Sequence, residues 1–285
     1  WEQIARSAKG FLNRQDVKGI IITHGTDFLH YTSAALSFFL RDLNKPVVLT
    51  YSQRSIDRAS SDAALNLECS ALAAVSDIAE VMLVGHATPN DDYCFALPGS
   101  KVRKMHTSRR DTFKAINSRP IAKVYPGRVE FLEEYRAKNK NKTEIDAVFD
   151  DKVALVKFYP GQSPDILDYY ASKGYKGIIV EMTGLGHIAV NGKKSWISKL
   201  KNLVKKGIVI FGVAQTIYGS LNLKVYSNQR EIEKTGLIGL NDMLAETALV
   251  KLSWILGHRN WKGKEKIKEK MLENISGEFN ELLSE

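Results

Sequence analysis

No window of about 18 uninterrupted apolar residues occurs in the chain, so no membrane-spanning helix is expected. The N-terminus also lacks the charged-then-apolar pattern of a secretory leader. Together these absences imply a cytosolic protein. Cysteine is scarce: Cys69 and Cys94 stand alone, without the CxxC spacing of a zinc or redox site, and are expected as free thiols. The six histidines show no HExxH spacing, and neither GxGxxG nor GxxxxGK[ST] nor a GxSxG elbow is present. Zincin, dinucleotide, P-loop and nucleophile-elbow chemistry are thereby excluded. No initiator Met opens the sequence, whose first methionine is Met82. Trp1, Ile4, Ala5, Ala8 and Phe11 fit one helical face, so the chain opens on a helix and is expected to be a fragment with residues missing upstream.

What is present is ample for a core: 285 residues with 44% hydrophobic content, enough for two ordinary domains or one large one. The net charge of +9 raises the question of nucleic acid, but the excess is diffuse. "KGKEKIKEK" alternates Lys with Glu and "AKNKNK" has the composition of a solvated loop. Charge of this kind permits contact with nucleic acid and specifies nothing.

Strand-like and helical segments alternate, which predicts parallel βαβ units. Strands are expected around 18–23, at "KPVVLTY" and at "AEVMLVGHA", with helices over 29–40 and 60–73. A short strand pair is expected within "DYCFALPGSKVRKMHT". The alternation restarts at "KVALVKFYPG", followed by a helix with Ser163 as cap, Pro164 as first residue and Gly174 as C-cap. Further strands are expected at "YKGIIVEMTG" and "IVIFGVAQT", with a helix at "SWISKLKNLVKKG" between them and a helical tail from Met243. The Lys/Asn-rich stretch 137–143 is the expected linker, giving α/β domains over 1–142 and 143–285.

Ligands of open parallel sheets bind where strands end. "GIIITHGTDFLHYTSAAL" ends an apolar run in Thr23-His24-Gly25-Thr26-Asp27. A hydroxyl beside a carboxylate can present a nucleophile together with an anion for a substrate amine, yet either residue can equally cap the following helix. Similar choices arise elsewhere. Ser60 or Ser61 can cap a helix, and Lys104 lies in a stretch dense in positive charge, where a lysine loses its proton more easily and can serve as a base. Gly184, Gly186 and His187 mark a tight turn, and His24 reads as a hydrogen-bonding group of its turn rather than a metal ligand.

At these residues the chain resembles a known family. "GIIITHGTDFLHYTSAALSFFL" looks like the Thr-His-Gly-Thr-Asp signature of the L-asparaginase superfamily. "SQRSIDRASSDAALN" and "DMLAETALVKLSWILGH" look like its amidotransferase branch, the D subunits of archaeal glutamyl-tRNA(Gln) amidotransferases. The likeness covers essentially the whole chain. It implies a two-domain asparaginase-like α/β fold: an N-terminal parallel-sheet domain, incomplete here without its first strand and lid, and a smaller α/β C-terminal domain. It also implies hydrolysis of a side-chain amide through an acyl-enzyme. Thr26 corresponds to the family's second Thr, Asp27 to the Asp that also holds the substrate α-amino group, and Lys104 to the Lys of the proton relay. Gly25 and Ser52 fall among the substrate-binding positions, Ser52 where a small residue's backbone faces the leaving amide. The family's other Thr lies in a Thr-Gly-Gly-Thr block that these residues do not contain, so the chain by itself is expected to be catalytically incomplete.

The resemblance further implies glutamine or asparagine as amide donor, a homodimer, and ammonia passed to an E subunit that modifies Glu-tRNA(Gln). No cofactor is expected in this subunit; ATP and magnesium belong to the partner, as does most tRNA contact. The competing readings are a free-standing cytosolic L-asparaginase and, given the missing block, a non-catalytic scaffold.

Overall fold

A computed structural model describes residues 1–280. The chain divides into two compact units, Trp1–Ala147 and a second that starts at Val148.

The first unit runs α1 (Glu2–Leu12), β1 (Ile20–Thr23), α2 (Leu29–Phe39), β2 (Leu40–Arg41), β3 (Val47–Thr50), α3 (Ala63–Val75), β4 (Val81–His86) and β5 (Cys94–Pro98). It continues through β6 (Val102–Lys104), β7 (Phe113–Ala115), β8 (Ala122–Tyr125), β9 (Arg128–Phe131) and β10 (Glu144–Ile145). In α1 the inward stripe is Ala5, Ala8 and Leu12, which leaves Phe11, expected on that face, 52% exposed. Leu12 completes the i, i+3, i+7 stripe, and Phe11 sits one step off it.

Six strands form one sheet in the order β1-β3-β4-β5-β8-β9. The first three are parallel, as the alternation predicts, but β4–β5, β5–β8 and β8–β9 are antiparallel. The sheet is therefore mixed rather than parallel. The link from β4 to β5, residues 87–93, is too short for the crossover that parallel pairing needs, roughly a dozen residues or more. The expected strand pair also resolves differently: β5 joins the main sheet, and β6 pairs with β7. One face of the sheet packs on α3 through Val48, Met82, Val84, Ala96 and Val124, while α2 contacts β4 of the sheet and β6 of the separate β6–β7 pair. Gly19 lets β1 enter close to the end of α3, since a Cβ there would meet the Ala74 carbonyl oxygen at 2.0 Å.

The stretch 137–143 is not a free linker. Lys138 N–H donates to Asp77 O at 2.8 Å, and the buried Thr143 hydroxyl donates to Asn44 Oδ1 at 3.0 Å. Beyond it β10 pairs with β2, so the first unit extends to residue 147 rather than 142.

The second unit holds β11 (Val153–Lys157), α4 (Asp165–Ser172), β12 (Gly177–Met182), α5 (Ile197–Lys205), β13 (Val209–Ala214), α6 (Ser227–Glu233), β14 (Ile238–Gly239), α7 (Ala245–Gly257) and α8 (Lys264–Leu272). Its sheet is parallel throughout, in the order β11-β12-β13-β14. Pro164 is the cap of α4 rather than its first residue, and Gly174 follows the helix at φ +76°, the left-handed position glycine serves best. The tail is helical only in part: α7 and α8 are separated at 258–263, and residues 273–280 are irregular. Among the described residues no helix is long and apolar enough to cross a membrane.

Candidate active site

β1 ends beside β3, where His24 N–H donates to Thr50 O at 3.0 Å. The turn that follows does not cap α2 as its residue types allow. The N-cap position is Phe28, with no side-chain cap bond. Thr26 and Asp27 are turned instead toward Lys104, whose Nζ donates to Thr26 Oγ1 at 2.9 Å and to Asp27 Oδ1 at 2.8 Å. His24 braces the turn: its Nδ1 lies 2.6 Å from Gly25 O, and its Nε2 3.0 Å from Thr32 Oγ1, which also accepts from Trp1 Nε1.

Lys104 reaches the turn because it ends β6 in a hairpin with β7, paired with Phe113. The intervening loop is closed by Met105 N–H to Thr112 O at 2.7 Å. Inside it, His106 Nδ1 accepts from the N–H groups of Ser108 and Arg109 at 3.0 and 3.1 Å. Asp111, 5% exposed, pairs with Arg109 and Lys114 and anchors the loop's return.

The Lys104 side chain is 15% exposed and that of Asp27 81%. An ion pair so open to water adds little stability, so its arrangement counts for chemistry rather than folding. The hydrogen bond from Lys104, then its charge, holds the Asp27 carboxyl below the ordinary carboxylate range, with a smaller contribution from the Thr26 hydroxyl. Because this folded value is depressed, the pair is complete above the ordinary Asp value, about 3.9, and is lost only as pH falls through the lower folded value. Carbon-13 NMR of the Asp27 carboxyl should therefore show a midpoint below the ordinary Asp value, about 3.9, and Lys104→Met should raise it. An unchanged midpoint in Lys104→Met would remove the lysine as the cause.

An amine in hydrogen-bond reach of a hydroxyl is the geometry of a base and the group it activates. Asp27 fixes the amine and keeps an exposed carboxylate for a cationic substrate group. The space beside Gly25 is open, with nothing within 4 Å of a Cβ built on it. Ser52 does not bond to the trio; its hydroxyl donates to Arg54 O in its own loop.

Asp62, just ahead of α3, organises the loop it follows. Fully buried, it accepts from Gln53 N–H at 3.0 Å, Arg54 N–H at 2.8 Å and Asn66 Nδ2 at 3.1 Å. Gln53 Nε2 then donates to Thr107 O at 3.2 Å, tying the β3–α3 loop to the loop after Lys104. The signal available was Asp62 four residues before Asn66, an i, i+4 pair at a helix start. Among the described residues no group of three His, Cys, Asp or Glu side chains is placed to hold a metal ion.

Comparison with known proteins follows the same lines. Residues 1–137 match the family described as asparaginase, N-terminal, and residues 152–271 the glutaminase/asparaginase C-terminal domain. Over 281 residues the chain is 49% identical to the D subunit of the glutamyl-tRNA(Gln) amidotransferase of Thermococcus kodakarensis, covering 98% of this chain and 62% of that protein. The namesake from Methanothermobacter thermautotrophicus is 44% identical over 285 residues, covering 100% and 64%. The chain thus spans about three-fifths of the length of these relatives. Among solved structures, the thermostable L-asparaginase from Thermococcus kodakarensis superimposes with a TM-score of 0.88 at 31% identity, covering 98% of this chain and 80% of that one.

Proposed function

We propose that this chain, which belongs to the asparaginase/glutaminase family, is the part of a tRNA-dependent amidotransferase that sets ammonia free from a side-chain amide. The observation that carries the reading is the contact of Lys104 with both Thr26 and Asp27. It is supported by the name of the relatives that match at 44–49% identity, against 31% for the asparaginase.

In this reading a hydroxyl adds to the amide carbonyl of glutamine or asparagine, ammonia leaves, and water resolves the acyl ester. Lys104, when neutral, accepts the Thr26 proton as the Thr26 oxygen takes up the proton of the attacking hydroxyl, and the lysine then returns its proton to the leaving nitrogen. Asp27 holds that amine in place and receives the substrate α-ammonium group. The attacking hydroxyl of the family's pattern sits in a Thr-Gly-Gly-Thr block, which is not among these residues. β1 lies at the edge of the sheet, and Ile20, Ile21 and Ile22 are only half-buried there, so its free edge offers a parallel place for such a strand. The ammonia goes to a partner of the E-subunit type that activates Glu-tRNA(Gln) with ATP and magnesium, and the chain works as a homodimer.

The test is the full-length protein with that partner, glutamine, ATP and glutamate-charged tRNA(Gln). Ammonia release coupled to formation of Gln-tRNA is expected. Rapid hydrolysis of free asparagine without partner or tRNA, and no Gln-tRNA formed, would instead establish a free-standing asparaginase.

A further inference from the structure

Five residues of the first unit close a ring of hydrogen bonds beside the relay. Asn66 Nδ2 donates to Tyr51 O at 3.0 Å, and Asn66 Oδ1 lies 2.6 Å from His86 Nδ1. His86 Nε2 lies 3.0 Å from Asp91 Oδ1, to which Arg110 Nη1 donates at 2.7 Å. Tyr51 OH donates to Arg110 O at 2.8 Å and completes the circuit. The direction of four of these bonds follows from the groups themselves, and that between His86 Nε2 and Asp91 Oδ1 depends on whether the ring nitrogen carries a hydrogen. Asn66 Nδ2 is spent on Tyr51 O and Asp62, so Oδ1 must face His86, where it also accepts the backbone N–H at 2.9 Å. Burial keeps the Tyr51 hydroxyl protonated, hence a donor.

The ring is built into the fold at residues of low exposure: Asn66 is 0%, His86 2% and Tyr51 4% exposed. Gly85 on β4 makes room for it, since a Cβ there would stand 2.3 Å from the Tyr51 ring. The ring joins the end of β3, the first turn of α3, the end of β4 and the loop after Lys104. Arg110 belongs to that loop, and Tyr51 packs edge-on against Phe113 at 4.8 Å, the residue paired with Lys104.

We propose that Tyr51, Asn66, His86, Asp91 and Arg110 are positioning residues for Lys104, holding its amine at the distance from Thr26 that proton transfer needs. The proposal rests on the reading of Lys104 as the proton acceptor of amide hydrolysis. The physical warrant is the steep cost of displacement: moving a reacting group by about 1 Å can lower a rate by roughly 100-fold. Each ring member acts through the loop and strand ends.

The experiment compares Tyr51→Phe and His86→Gln in the full-length protein with its partner, glutamine as donor. Tyr51→Phe keeps the aromatic side chain but deletes the donor that closes the circuit; His86→Gln cannot span Asn66 and Asp91 together. Both are expected to lower kcat about 10- to 100-fold, with KM for glutamine within about twofold and a cooperative melt retained. If His86→Gln fails to fold, Tyr51→Phe decides the matter alone. Wild-type kcat in Tyr51→Phe overturns the proposal, as does a fall confined to KM or to thermal stability. Lys104→Met run alongside separates the failures. An active Lys104→Met protein removes the catalytic reading, while an inactive one beside full-rate ring variants overturns the ring alone.

Discussion

Lys104→Met is expected to slow ammonia release about 10²- to 10⁴-fold, the usual range for removing a positioned acid-base group. Methionine keeps the length and apolar stem of lysine, so the β6–β7 hairpin, held by its register and by Asp111, has no reason to move. What disappears is the amine that touches Thr26 Oγ1 and Asp27 Oδ1. The hydroxyl then loses its amine base and keeps only the weakly basic Asp27 carboxylate beside it, and that carboxylate loses its fixed partner. Lys104→Arg should not restore the rate, because a guanidinium keeps its proton in proteins and cannot serve as a base. Stability should hardly change in either variant, since water already screens the pair. Steady-state kinetics beside a thermal melt separates these effects. A large loss of stability with normal kcat would assign Lys104 a structural role.

Lys251→Met is expected to cost the second unit about 3–5 kcal/mol, the usual effect of removing one partner of a buried ion pair. Lys251 on α7 and Glu278 are both 0% exposed and in direct contact. The ammonium also donates to Met271 O at 3.0 Å and Glu273 O at 2.5 Å, and Glu278 accepts from Ile275 N–H and Ser276 N–H. Burial pulls the lysine downward from its ordinary pKa and Glu278 opposes that fall. One side chain thus ties the end of α8 and the segment after it to α7. Without it, Glu278 is left buried with only backbone partners. Lys251→Met with Glu278→Leu should recover much of the loss, because an apolar pair avoids the desolvation of two charges. Urea denaturation followed by tryptophan fluorescence reads the result, Trp254 being on the same helix. A loss below about 1 kcal/mol in the single variant would place this pair in the class of exposed bridges.

The parts of the site legible in the sequence are those where local pattern and chemistry coincide. An apolar run broken by Thr-His-Gly-Thr-Asp marks both a strand end and its reactive groups. Lys104 is separated from it by 77 positions and could be found only through the family resemblance. The mixed sheet was not legible because a strand's alternation does not reveal its partner; β5 reads alike whether it pairs with β4 or β6. Composition misled at 137–143, where Asn13 and Asn44 satisfy Thr143 and turn a polar stretch into packed structure. Asp62, His86 and Lys251 share that lesson. Charged and polar residue types suggest solvent, and only the three-dimensional arrangement reveals partners that make their burial tolerable.

Ammonia release from glutamine by the full-length protein and its Thr26→Val variant, under identical conditions with the partner present, tests the relay most directly. Valine matches threonine in shape and removes a single half-buried hydroxyl. The predicted result is a cooperative melt at the wild-type temperature with no ammonia above the enzyme-free control. Ammonia released by Thr26→Val at the wild-type rate would contradict the assignment of Thr26, Lys104 and Asp27 as the catalytic relay.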